Sequence, residues 1–268
     1  MGSDLLTLLL LKMKNAAMKN WLLPMLLFPT LLTAQIVNIE DQRITGTNDS
    51  VRWYGQVRLG ANLVKVKDQI LQINTTARVE YKQERNLVLL LLDGKFLRAG
   101  SQDFNNAGFS HLRYNYKLTE VLVWEAYAQA QYNRLLLIRL RALAGNGLRV
   151  RLFKDPPGRN RIYAGMAYLY EYNQFLEGNE DHDWHRLSSY LSATFRPGDG
   201  VLLVTTTYFQ PQVDRFSNFR FSSEWRLALP VGKRLAFTTD FSWSVDRSLP
   251  SGAPQSTYSW LNGLTFRL

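Results

Sequence analysis

In the stretch LLIRLRALAGNGLRVRL (136–152), Arg139, Arg141, Arg149 and Arg151 share one parity. Leu136, Ile138, Leu140, Ala142, Ala144, Leu148, Val150 and Leu152 share the other. Guanidinium groups two residues apart on an extended chain lie on one face. There they can hold an anion, or pair with carboxylates on neighbouring strands. The same parity, followed along the chain, collects Arg58, Arg78, Arg113, Arg186, Arg220 and Arg226. The acids that share it are Glu80, Asp93, Glu125, Glu171, Glu224 and Asp240.

Two other constellations could carry chemistry. NEDHDWH (179–185) gathers Asp181, His182, Asp183 and His185 in an expected loop, with the donor types that suit a divalent cation. No second cluster completes a metal site, so a solvated acidic loop is the favoured reading. A nucleophilic Ser–His pair is the third possibility. Ser110 and His111 are adjacent and point to opposite faces of a strand. His185 and Ser189 share a face but lie too far apart for direct contact. No catalytic residue is therefore named, and no cofactor is expected.

The elements that must position these side chains are strands. Segments of ten to fifteen residues alternate apolar and polar and are separated by Gly-, Pro-, Asp- and Asn-rich breaks. In VLVWEAYAQAQY (121–132), Leu122, Trp124, Ala126, Ala128 and Ala130 oppose Glu125, Tyr127, Gln129 and Gln131. In LAFTTDFSWSV (235–245), Phe237, Phe241 and Trp243 oppose Thr238, Asp240 and Ser242. Twelve segments are expected, near 52–65, 68–82, 86–99, 104–118, 120–132, 136–153, 160–175, 184–196, 200–210, 217–229, 233–246 and 256–268. In the C-terminal half KLTE, RPGDG and PVGK are tight breaks, and LEGNEDHDW, QPQVDRFSN and DRSLPSGAPQS are longer and more polar. Long strands, an even count and this alternation of loop length predict a closed antiparallel transmembrane β-barrel over 51–268. The final segment, TYSWLNGLTFRL (257–268), is expected to pair with the first and remove both sheet edges. A register slip of one residue would turn the arginines of 136–152 into lipid, at about 2–4 kcal/mol each near the midplane.

Composition agrees with this architecture. The chain has 268 residues, 46% hydrophobic and 13% aromatic, and aromatics favour strands. With 0 Cys, disulfide frameworks and thiolate metal sites are excluded. The net charge of +10 is scattered strand by strand, which argues against nucleic acid as a partner. MKNWLLPMLLFPTLLTAQ (18–35) has the charged start, apolar stretch and small-residue cut of a signal peptide. Residues 1–17 are read as an over-called start or extended leader, 18–34 as the signal peptide, and 35–50 as a periplasmic lead-in.

Several stretches resemble the salt-induced outer-membrane protein family, a YdiY-like domain of unknown function. They are YEYNQF (170–175), YFQPQVDRFSNFRF (208–221), RALAGNGLRVRLF (141–153) and SLPSGAPQSTYSWLNGLTFRL (248–268). The resemblance covers 52–268 and implies an outer-membrane β-barrel. It supplies no reaction or binding residues to carry over. The ending departs from the usual aromatic close, since Phe266 is followed by Arg267 and Leu268.

The expectation is an integral outer-membrane barrel with a structural or envelope-stress role and an Arg-rich polar interior filled by ion pairs. A small anion-preferring channel is the alternative, and a lipid-modifying enzyme a more distant one. The expected partners are outer-membrane lipids, the barrel-assembly machinery through the C-terminal strand, and small anionic solutes.

Overall fold

The computed structural model describes residues 52–65, 69–100, 102–156, 158–178, 181–198, 200–232 and 235–266. The expected leader, signal peptide and lead-in (1–17, 18–34 and 35–50) lie outside these residues, as do Arg267 and Leu268. The twelve strands are β1 (Arg52–Lys65), β2 (Gln69–Gln83), β3 (Asn86–Ala99), β4 (Gln102–Lys117), β5 (Leu122–Asn133) and β6 (Ile138–Lys154). They continue as β7 (Arg161–Phe175), β8 (Asp181–Phe195), β9 (Leu202–Pro211), β10 (Phe219–Pro230), β11 (Leu235–Asp246) and β12 (Ser256–Phe266). All belong to one sheet in sequential order, each antiparallel to its neighbours. No helix among the described residues is long and apolar enough to cross a membrane.

Alternation decides the two faces of this sheet. One face exposes large apolar side chains, among them Leu92, Leu112, Leu148, Met166, Leu191, Trp225, Phe241, Trp260 and Leu264. The other buries Glu80, Arg113, Glu125, Arg149, Glu171, Arg186 and Arg220. Side chains on this polar face touch across strands that are not neighbours: Arg141 of β6 reaches Asp246 of β11, and Tyr190 of β8 reaches Glu125 of β5. A single sheet permits such contacts only if it curls with that face inside.

β1 and β12 stand at the two ends of the strand order, and no pairing between them occurs among the described residues. The expected closing seam is therefore not part of the described sheet. The edges show it in their exposure. Val57 and Leu59 of β1 are 73% and 76% exposed, above every exposed large apolar residue on a strand with two neighbours, the nearest being Met166 at 64%.

Two expectations are corrected. The pairing of β6 with β7 shifts between Ile138 and Leu140, a bulge that inverts the alternation there. Ile138 turns inward and is fully buried, while Arg139, expected inside, is exposed. Leu136, expected on the outward face, is likewise buried. Second, NEDHDWH is not wholly a loop, because β8 begins at Asp181.

At the end of the curl carrying the longer loops, Leu136, Ile138, Phe175 and Leu249 form an apolar cluster, with Trp184 and Ala253 packed against it. Leu249 and Ala253 come from the β11–β12 loop, which thus folds over the inner face. Gly252 of this loop has φ +102, a conformation L side chains rarely adopt, and a Cβ there would meet Leu137.

Candidate functional site

The inner face is organised around two buried carboxylates. Glu171, on β7, is 0% exposed. Its Oε1 accepts from Asn173 Nδ2 at 2.8 Å and lies 3.6 Å from Arg141 Nε. Its Oε2 lies 3.4 Å from Arg186 Nε and pairs closely with Arg220 Nη2. One carboxylate thus gathers guanidiniums from β6, β8 and β10. Arg141 also donates to Asn173 at 2.8 Å and to Asp246 at 3.0 Å. Arg186 is anchored elsewhere by donation to the carbonyls of Gln210 and Asn218, at 3.1 and 3.0 Å, and lies over the Trp184 ring.

The second carboxylate, Glu125 on β5, lies 3.4 Å from Arg113 Nη1 and 3.6 Å from Arg149 Nε, and accepts from Tyr190 Oη at 2.8 Å. Tyr190 can reach it because Gly165 leaves room. A Cβ on Gly165 would collide with the Tyr190 ring. The same economy operates at Gly145, where a Cβ would lie 3.0 Å from Tyr127 Cζ and 2.8 Å from Leu169 Cβ. An inward row runs through the register from Glu80 through Leu89, Arg113, Tyr127, Gly145 and Leu169 to Arg186. Gly145 is the one small member of this row, and it makes room there for Tyr127 and Leu169 of the flanking strands.

Burying charge is costly unless it is paired and hydrogen-bonded. Both carboxylates meet that condition through several partners from different strands. Such a network fixes the distance between opposite sides of the curl and leaves little open space. The cavities within it are small, and the one beside Glu125 is about 30 Å³, lined by Glu125, His111, Arg113, Tyr127, Gln210 and Arg220 among others.

The remaining residues picked out by parity fall as follows. Arg78 and Glu80 form a separate pair at 2.6 Å on β2. Arg151 is half-buried and opposite Tyr163 in the register. Glu224 is half-buried on β10. Arg226 and Asp240 form an ion pair in a much more exposed position. Asp93 pairs with Lys95 at 3.8 Å, and Arg58 is exposed on the edge strand β1. Arg139 joins none of these groups.

Asp181, His182, Asp183 and His185 do not converge. His182 points inward and stacks on Trp184, with ring centroids 5.4 Å apart. The other three face outward in a ladder with tyrosines of β7: Tyr172 donates to Asp181 at 2.6 Å, Tyr170 donates to Asp183, and Tyr168 pairs with His185. Among the described residues no group of three or more His, Asp or Glu is arranged to hold a metal ion. Ser110 and Ser189 bond to the carbonyls of Ala130 and Phe209, and His111 bonds to Gln129.

The residues singled out from the sequence leave out Asn173, Tyr190 and Asp246. Asn173 and Tyr190 share the inward parity of their charged neighbours, and Asp246 continues the parity of Asp240, so the signal was present.

No curated protein matches the chain. Among solved structures it is similar to the NanC porin, with 12% identity, TM-score 0.44, and coverage of 79% of this chain and 99% of that one. It is also similar to the translocator domain of the autotransporter NalP from Neisseria meningitidis, with 12% identity, TM-score 0.37, and coverage of 86% and 92%. A family model matches residues 57–266, from β1 to the end of β12, and the chain belongs to the family described as protein of unknown function, DUF481.

Proposed function

We propose that this chain is an integral outer-membrane β-barrel whose interior is held shut by its own ionic network, a structural element of the envelope with no standing conductance. The observation that carries this reading is Glu171, fully buried and gripped by guanidiniums from three other strands. Side chains that meet across the interior obstruct it. The apolar cluster of Leu136, Ile138, Phe175 and Leu249 adds a second obstruction beyond the charged layer.

The outward face supports the membrane. Exposed Leu, Met, Phe and Trp on strand after strand would be an aggregation liability in water and suit lipid. Aromatic contacts lie at two levels of that face. Trp53 and Tyr81 meet at 4.6 Å near one end, and Phe221 and Trp243 at 5.2 Å nearer the other. In the membrane β1 and β12 would pair, since an open edge cannot satisfy its backbone groups in lipid. The N-terminal leader would export the chain, and the C-terminal strand would present it to the assembly machinery.

The test joins fractionation to electrophysiology. The protein is expected in the outer-membrane fraction with heat-modifiable gel migration, and reconstituted in planar bilayers it is expected to pass no steady current. Recovery as a soluble periplasmic protein overturns the membrane reading. A steady anion-selective current overturns the sealed reading in favour of the channel, which the arginine-rich interior would suit.

A further inference from the structure

Asn146 puts an amide at the centre of the outward face. The outward side chains of β6 are Leu140, Ala142, Ala144, Asn146, Leu148, Val150 and Leu152. Asn146 is the middle one and the only polar one, with about 20 Å of strand to either side. At the tilt of a membrane barrel that is about 15 Å along the normal, which sets the amide near the middle of an apolar band about 25 Å tall.

Nothing around it satisfies the amide. Its register partners are Ala126 of β5 and Tyr168 of β7. Ala126 offers no polar group, and the Tyr168 hydroxyl is turned to His185. The Asn146 side chain is exposed and makes no hydrogen bond among the described residues. Other polar side chains of the outward face are satisfied within the sheet: Ser110 and Ser189 donate to the carbonyls of Ala130 and Phe209, and Thr207 pairs with Ser223. Asn262 also faces outward, but on the edge strand β12, where β1 would lie beside it once the seam forms.

Acyl chains can neither donate to an amide nor accept from it. A second amide can do both. Oδ1 and Nδ2 lie side by side, so two asparagines related by a two-fold axis each donate to the other. The surroundings allow such an approach. Ala126, Ala128 and Ala144 make the outward face low on one side of Asn146, while Leu148 and Tyr168 stand higher beside it. We propose that the outward face of β5 and β6 is a homodimer interface within the membrane, in which Asn146 of one copy is hydrogen-bonded to Asn146 of a second. This rests on the membrane reading above and is independent of the conductance.

The test uses the full chain, refolded in detergent micelles and transferred to lipid vesicles. Light scattering in micelles, with the detergent subtracted, is expected to give the mass of two chains. Asn146→Leu is expected to keep the heat-modifiable fold and to associate roughly tenfold more weakly, as loss of a hydrogen-bonded pair in lipid implies. Ala144→Trp leaves the amide in place and raises the face beside it, and is expected to fold and remain monomeric. Asn146→Cys is expected to give an intermolecular disulfide in vesicles under mild oxidation, and Phe241→Cys, outward on β11, to give none; the natural chain has 0 Cys. A folded outer-membrane barrel that is monomeric, an association unchanged in both Asn146→Leu and Ala144→Trp, or equal cross-linking from 146 and 241 would overturn the dimer and leave the barrel standing. Recovery as a soluble periplasmic protein would overturn both.

Discussion

Glu171 is the residue on which the interior turns. Glu171→Gln keeps its shape and removes its charge, leaving Arg141, Arg186 and Arg220 facing one another. Breaking a buried pair costs about 3–5 kcal/mol. The variant is expected to unfold at markedly lower urea concentration in detergent, whereas Arg226→Gln, at an exposed pair, is expected to change little. Gly165→Ala tests the packing beneath the second carboxylate. Its methyl group meets the Tyr190 ring, and overpacking of this kind costs about 1–3 kcal/mol. Tyr190→Phe should lose only the hydrogen bond to Glu125, so the pair of variants separates sterics from polarity in the same unfolding assay. At this scale the sequence was partly legible. Strict alternation placed Arg113, Glu125, Arg141, Arg149, Glu171 and Arg220 on the buried face. It failed at Arg139 because a bulge has no signature in a run of Leu and Arg, and its extra residue reverses every side chain between itself and the turn.

Among elements, the β11–β12 loop departs most from a plain connection. Leu249 anchors it in the apolar cluster, while the Ser248 side chain bonds to Asp246, itself a partner of Arg141. The loop is therefore tied at once to the apolar and the charged layers. Leu249→Ala is expected to release it, at a cost of about 2–5 kcal/mol for a well-packed site and nearer the lower figure in so small a cluster. Brief trypsin treatment should then cut at Arg247 in the variant and spare the parent, while both retain their strand content by circular dichroism. Equal resistance would mean that the loop is held by other contacts. The existence and order of all twelve strands were legible because long alternating segments carry the strongest local signal. The start of β8 was not. Asp181, His182 and Asp183 look like loop residues, and only the tyrosines of β7 opposite them draw that stretch into the sheet.

For the whole molecule, closure is the property that local patterns could imply but the described sheet does not contain. Val57 on β1 and Tyr258, Trp260 and Leu264 on β12 all face outward and are strongly exposed. If the two edges join in the membrane, Val57→Cys combined in turn with Cys at 258, 260 or 264 should give one intramolecular disulfide under mild oxidation. The natural chain has 0 Cys to confuse the result. Absence of cross-linking in all three combinations would refute the seam.

The tyrosine ladder on β7 and β8 has a further consequence, for the depth at which the protein floats. Asp181, Asp183 and His185 face outward, and ionisable side chains are costly in hydrocarbon. Below them the outward residues of β8 are Leu187, Ser189, Leu191, Ala193 and Phe195. That span covers about 27 Å along the strand. At a tilt near 40° it projects to about 20 Å along the normal, close to the height of an outer-membrane apolar band. If the barrel spans the membrane as proposed, the ladder marks its waterline. A nitroxide probe at position 191 should be quenched by oxygen dissolved in the acyl chains, and one at 183 by a water-soluble nickel chelate.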